Sequence, residues 1–274
     1  MGAGGVTEGV AAFPPFDPDR PSAARMHDWL LGGRNNYDSD RLAGEELLRI
    51  APSARELAQS NRAFLVRAVR HIATRYGIRQ FLDHGSGLPT RTNVHQVAQA
   101  VHQDCKVVYI DNDPMVLAYG RALLDENPNV TILPADLVET ERIRAGVHGR
   151  IDFSQPIAAL FVSVLHCLPD GKDPRAVIER TVRQLAKGSV VVACQLVSRS
   201  GRIRRQATDL MAERTGGYWG RVRTEEEVRR FFDIDRLNVQ EPGLLDVADW
   251  KPDVPSVRQA TEEWFEFGGL AVVE

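Results

Sequence analysis

The chain has 274 residues, of which 43% are hydrophobic and 26% charged, and a formal net charge of −3. It is long enough for one large α/β domain with an appended element, and its charge gives no overall pull toward nucleic acid or anionic membrane. No apolar run approaches the roughly 18 residues of a membrane span, and the N-terminus MGAGGVTEGV lacks the basic and apolar regions of a signal peptide. The cysteines Cys105, Cys167 and Cys194 are sparse and lie in or beside apolar runs. They read as reduced core thiols of a cytoplasmic protein rather than a disulfide framework.

Residues 1–20 are rich in Gly, Pro and Asp without periodicity and are expected to form a loose tail. Helical structure is expected from Arg25 to Leu31, stopping at Gly32-Gly33, and again from Asp40 to Ile50. A longer helix should run from Ser53 to Tyr76, where Phe64, Ala68 and Ile72 share a face and Gly77 ends the run. Residues 21–77 thus form an N-terminal helical cap ahead of a core domain, 78–274. From Ile78 apolar runs alternate with helical patterns. Strands are expected near 79–83, 106–111, 130–134, 157–164 and 189–196, with helices near 91–103, 114–125, 139–147 and 174–186. This alternation predicts a doubly wound parallel sheet with its ligand at the carboxyl edge. After Arg202 to Arg214 and a GGYWG loop, Thr224 to Glu227 reads as a capping box opening a helix to Phe232. Leu237 to Glu274 should supply closing antiparallel strands.

The first strand ends in Gln80 to Thr90, QFLDHGSGLPT, which sets Asp83 directly before a Gly-x-Gly turn. Gly85, Ser86 and Gly87 let the backbone approach a nucleotide closely. A carboxylate at the mouth of that turn repels a pyrophosphate and suits a nucleoside carrying positive charge. S-adenosylmethionine has an ammonium and a sulfonium where NAD has phosphates, and Thr90 stands where the NAD fingerprint has its third glycine. The second strand, KVVYID, ends in Asp111, which follows Gly87 at close to the roughly 20-residue interval of a ribose-binding acid. Asn112 is placed to reach the adenine, and Asp113-Pro114 reads as a helix N-cap with proline at the first position. Asp136, at the end of the third strand with Leu137 beside it, is placed to accept from the adenine amino group. Ser163, at the end of the fourth strand, completes the expected cofactor set.

These motifs resemble the bacterial S-adenosyl methyltransferase family long described only as a domain of unknown function. The resemblance rests on D-x-G-x-G-x-P-T, on VVYIDNDP, on PSAARMHDWLLGGRNNY from Pro21 to Tyr37, on Asn61-Arg-Ala-Phe64 and on ALFVSVLH from Ala159 to His166. It runs from about Pro21 to the C-terminus, and Pro89 stands where the wider methyltransferase motif has glycine. It implies a Class I, Rossmann-like fold: a doubly wound, seven-stranded, mostly parallel sheet that binds S-adenosylmethionine. It names no acceptor.

Methyl transfer from a sulfonium needs alignment and exclusion of water more than it needs acid or base chemistry. His166 is the best-placed catalytic base, since it closes the fourth strand's run at the edge where the methyl group should sit; a structural histidine beneath the following loop is the other reading. Arg34 is placed to clamp the methionine carboxylate and Tyr37 to cover the nucleoside, unless GGRNNY is a helix cap and solvated loop. His84 should point away from the ligand. His95 and His102 lack a third ligand at metal spacing, so no metal site is expected. The basic run Arg199 to Arg205 has no interleaved aromatics and reads as a solvated helix face. The chain has no Asn-Pro-Pro-Tyr or Asp-Pro-Pro-Tyr run after the fourth strand. The reading is therefore a methyltransferase acting on a small molecule, with no nucleic-acid or membrane partner. The rival is a protein that holds S-adenosylmethionine or its product without turnover.

Overall fold

The computed structural model describes residues 16–124, 127–253 and 263–274. Five apolar runs form the parallel strands β1 (Gln80–His84), β2 (Lys106–Asp111), β3 (Val130–Pro134), β4 (Ala158–Val162) and β5 (Val190–Val197). All residues of β1, β4 and β5 are buried. Parallel strands covered on both faces show such continuous apolar runs rather than alternation. Three closing strands follow, β6 (Leu237–Val239), β7 (Leu245–Asp246) and β8 (Phe265–Val273). Among the described residues the sheet has eight strands in the order β3-β2-β1-β4-β5-β8-β6, with β7 off this path and paired to β8. β8 runs antiparallel to both β5 and β6. The two-residue β7 is the strand beyond the seven expected; nothing in its short sequence signals pairing.

Successive strand residues point to opposite faces and feed two separate cores. Leu82, Val108 and Phe161 enter one core, while Phe81, Val107 and Leu160 enter the other. The helices between strands are α4 (Val94–Val101), α5 (Pro114–Leu124), α6 (Thr140–Gly146) and α7 (Pro174–Gln184). Two more, α8 (Gly201–Arg214) and α9 (Glu225–Arg229), follow β5. Thr224 and Glu227 make the expected capping box at α9.

The cap consists of α1 (Ala23–Leu30), α2 (Asp38–Ile50) and α3 (Ala54–His71), the last continued by a π-helical turn to Tyr76 and ended by Gly77 at φ +66°. Its apolar side packs on α8 and the end of β5, where Met26, Leu47 and Leu57 share a cluster with Leu196, Met211 and Trp264. The expected loose tail lies outside the described residues as far as residue 15. Asp17 and Arg20 give their carbonyls to the Arg25 guanidinium.

One carboxylate organises the cap. Asp40 is completely buried and accepts from Ser22 N at 3.0 Å, Arg25 Nε at 2.8 Å and Tyr37 N at 2.8 Å. It joins the start of α1, the body of α1 and the start of α2. Removing one partner of a buried pair strands the other charge and costs about 3–5 kcal/mol. Asp40→Ala should therefore lower the unfolding free energy by about that amount in urea titrations. Arg79→Ala, which breaks the exposed Arg79–Asp104 pair, should change it by at most about 1 kcal/mol.

Candidate active site

The carboxyl ends of β1, β2, β3 and β4 open on a cavity of about 550 Å³. Gly85 N and Ser86 N donate to Ile110 O at 2.8 and 3.2 Å, so the turn after β1 hangs on β2. Gly85 takes φ +69°, and a Cβ there would meet Val164 Cγ2 at 2.2 Å. Gly87 takes φ +66° and faces open space. The Asp111 carboxylate accepts from Gly87 N and Asp113 N, both at 2.9 Å, which ties the turn to the start of α5. Asp113 caps that helix through Met115 N at 2.8 Å.

Asp83 is buried at 5% exposure beneath this turn. Burial pushes its carboxyl up to about 7, opposed by the Arg62 guanidinium and reinforced by Asp111. Asp111 is pushed up to about 6 by desolvation, against the hydrogen bonds from Asp113 and Gly87. Asp136 accepts from Val138 N at 3.1 Å, and with Asn112 and Leu137 it lines the cavity next to the ends of β2 and β3. Ser163 sits just past β4 at φ +57°.

The cap closes one side. Met26, His27 and Leu30 line the cavity from α1, and Leu57, Asn61 and Arg62 from α3. Arg62 gives one amine to Thr92 O, while its buried Nε has no partner. His166 lies in a 3₁₀ turn, Leu165–Cys167, with its ring 4.8 Å from that of Trp219 and its carbonyl accepting from Gly220 N at 2.9 Å. Burial, with Arg223 and His27 adding, pushes the imidazole down to about 3, and its Nδ1 is partnerless.

Of the expected site residues, the structure gathers Asp83, Gly85, Ser86, Gly87, Asp111, Asn112, Asp136, Leu137, Ser163 and His166 around one cavity. Arg34 and Tyr37 are not among the residues that line it. The Asp28 carboxylate accepts from Asn35 N at 2.8 Å and Asn36 Nδ2 at 2.9 Å, pinning the loop to α1 and leaving Arg34 exposed. Tyr37 is the N-cap of α2, 38% exposed, with its ring against Phe16 and the Arg25 guanidinium. His84 is directed away, bonded to Leu160 O and stacked on Phe161. His95 binds the Tyr109 hydroxyl and His102 faces Ala73 O.

Two groups in the wall had no place in the expected set. Arg62 lies mid-helix, where periodicity marks a face but not what that face meets. Glu266 is 1% exposed in β8; one oxygen accepts the Ser163 hydroxyl, and Oε2 has no partner among the described residues. Burial pushes it up to about 7, opposed by the Ser163 hydroxyl and the neighbouring Cys194 thiol. A lone carboxylate in the apolar run FEFGGLAVV was its available signal.

A sequence model of the S-adenosyl methyltransferase family matches residues 11–274. The crystal structure of a methyltransferase candidate from Thermobifida fusca YX is 37% identical, covering 93% of this chain and 96% of that one with a TM-score of 0.83. That of a DUF574 family protein from Streptomyces avermitilis MA-4680 is 30% identical, covering 94% and 99% with a TM-score of 0.83. The plantazolicin methyltransferase BamL, solved with SAH and a triazolic desmethylPZN analog, shares the fold at 10% identity, covering 91% and 95% with a TM-score of 0.55. No curated protein matches the chain.

The raised Asp83 carboxyl sets the sign of a pH effect on the ligand-free protein. A carboxyl whose folded value lies above its unfolded one contributes stability at low pH that is lost as pH rises through about 7. Asp83→Asn keeps the neutral form at every pH. Relative to wild type it should gain more than about 1.4 kcal/mol between pH 5 and pH 8 in denaturant titrations. A difference that is flat across that range would contradict the assignment.

Proposed function

The chain belongs to the S-adenosyl methyltransferase family, and from that premise we propose which residues hold the cofactor and what kind of molecule receives the methyl group. The protein is an S-adenosylmethionine-dependent methyltransferase. When bound, the cofactor supplies a methyl group on a positively charged sulfur.

The observation that carries the residue assignment is a set of charges short of partners at one sheet edge. Asp83 and Asp111 are both raised by desolvation, and Arg62 Nε is buried and unpaired. A ligand bearing an ammonium, a ribose diol and a carboxylate answers all three. Asp83 takes the ammonium, whose charge restores its ionised form. Asp111 uses two oxygen positions on backbone N–H groups and has capacity left for ribose hydroxyls. Asn112, Asp136 and Leu137 border the adenine, and the Gly85 to Gly87 backbone bounds the methionine end. Arg62 takes the carboxylate in place of Arg34.

Residues 21–77 cover one side of the cavity and limit the access of water to the reacting atoms. A cavity of about 550 Å³ favours a small-molecule acceptor, which would lie between the cofactor and the wall formed by Ser163, His166 and Trp219. An imidazole held near 3 is a weak base at neutral pH, so His166 acts as a hydrogen-bond partner for the acceptor. No helix among the described residues is long and apolar enough to cross a membrane. Cys105, Cys167 and Cys194 are free thiols, in keeping with a reducing, cytoplasmic setting.

Isothermal titration tests the arrangement with two ligands, S-adenosylhomocysteine and 5′-methylthioadenosine, which lacks the amino-acid end. Arg62→Ala should weaken the first by about tenfold or more and leave the second unchanged. Asp111→Ala should weaken both by one to two decades. Arg62→Ala affecting both ligands equally would remove it from the carboxylate, and tighter binding of NAD than of either would sink the reading.

A further inference from the structure

Glu266 is the one raised carboxyl in the cavity wall that the cofactor assignment leaves without a role. It lies in β8, a strand whose other side chains are apolar or absent. Ser163 occupies one of its oxygens, and Oε2 is buried without a partner. An unpaired buried acceptor costs about 1–3 kcal/mol, and more when charged. Keeping a carboxylate there makes sense when a donor arrives from outside the chain. The same cavity is walled by Leu196, Met211, Trp219 and Trp264, so what arrives carries an apolar body.

The titratable groups facing Glu266 are Cys194 of β5, Cys167 of the 3₁₀ turn and Asp246 of β7. None of them brings positive charge. His27 and His166, in the same cavity, are pushed down to about 4 and about 3 and are neutral at pH 7. A cation beside Glu266 therefore meets an uncompensated carboxyl whose ionised form it restores. An alcohol would supply a hydrogen bond but no charge.

Resting on the methyltransferase reading, we infer that the methyl acceptor is an amine on an apolar, aromatic-sized body, with its nitrogen on Glu266 and its body against Trp219 and Trp264. Glu266 then acts as the general base. The ammonium proton passes to the Glu266 carboxylate, and the freed nitrogen lone pair forms the new N–CH₃ bond. The S–CH₃ bond breaks with its electron pair left on sulfur, giving S-adenosylhomocysteine and the N-methylated ammonium.

The test uses phenethylamine and 2-phenylethanol, which differ only in the donor. Each is titrated at pH 8 into the full chain saturated with S-adenosylhomocysteine, for the wild type and for Glu266→Gln. The wild type should bind the amine at least about tenfold tighter than the alcohol, and the variant should bind the two within about threefold. Equal binding by the wild type, an amine preference that survives Glu266→Gln, or binding of neither probe overturns the inference. The wild-type comparison decides the matter even if the variant does not fold. S-adenosylhomocysteine failing to bind in the saturation step would strike instead at the cofactor assignment beneath it.

Discussion

Removing a carboxylate from water is unfavourable unless protein groups replace its hydration, and the site is arranged around groups for which that replacement is incomplete. Asp83 is opposed only by the charge of Arg62, Asp111 receives backbone N–H groups, and Glu266 receives the Ser163 hydroxyl. Each is enough to hold the group in place and too little to restore its ordinary affinity for protons. Asp83 and Asp111 meet because parallel strands finish at the same edge, and Glu266 joins them because the antiparallel β8 starts there, beside Leu196 of β5. A Gly-x-Gly turn in that position serves phosphates in dinucleotide-binding proteins. Here the carboxylate beneath it gives the turn the opposite electrostatic preference.

The cap uses the same side chains in the opposite way. Asp40 and Asp28 are each surrounded by donors from their own segment, and both serve to fix backbone. The contrast separates two kinds of acid in one small protein: a carboxylate saturated by the chain builds structure, and one left wanting stays open to a ligand. The two uses meet at the cavity, because Asp40 fixes the position of α1, and α1 carries Met26 and His27 into the wall. A cap loosely joined to the core would leave the strand edge open to water. Packing of Leu47 and Leu57 against Met211 and Trp264 prevents that.

Much of this was legible in the sequence because the relevant signals are local. Asp83 and Asp111 lie at or next to the ends of their strands, where the apolar runs stop, and Gly85 and Gly87 after the first adopt positive φ. Gly77 stops the cap where expected. The placement of Arg34 and Tyr37 outside the cavity lining was not legible, because an unusual polar loop looks the same whether its groups face a ligand or satisfy a neighbouring carboxylate. Only the position of Asp28 in space decides between the two. Arg62 and Glu266 escaped for a different reason. Arg62 comes from the cap helix ahead of β1 and Glu266 from β8, and their meeting at one cavity is a product of topology rather than of any motif.

The placement of β8 bears on how the sheet is assembled. It enters the chain after β6 yet lies between β5 and β6, so among the named strands β6 has no partner until β8 has docked. Until then β5, whose eight residues are all buried in the finished fold, is an open hydrophobic edge of the kind that invites pairing with another chain. The contact that closes this edge is long-range and forms late on entropic grounds. It also delivers Glu266 and completes the cavity wall. A chain that has not finished folding therefore lacks part of its cavity wall, and the proposed acceptor site would arise together with the protection of the sheet from aggregation.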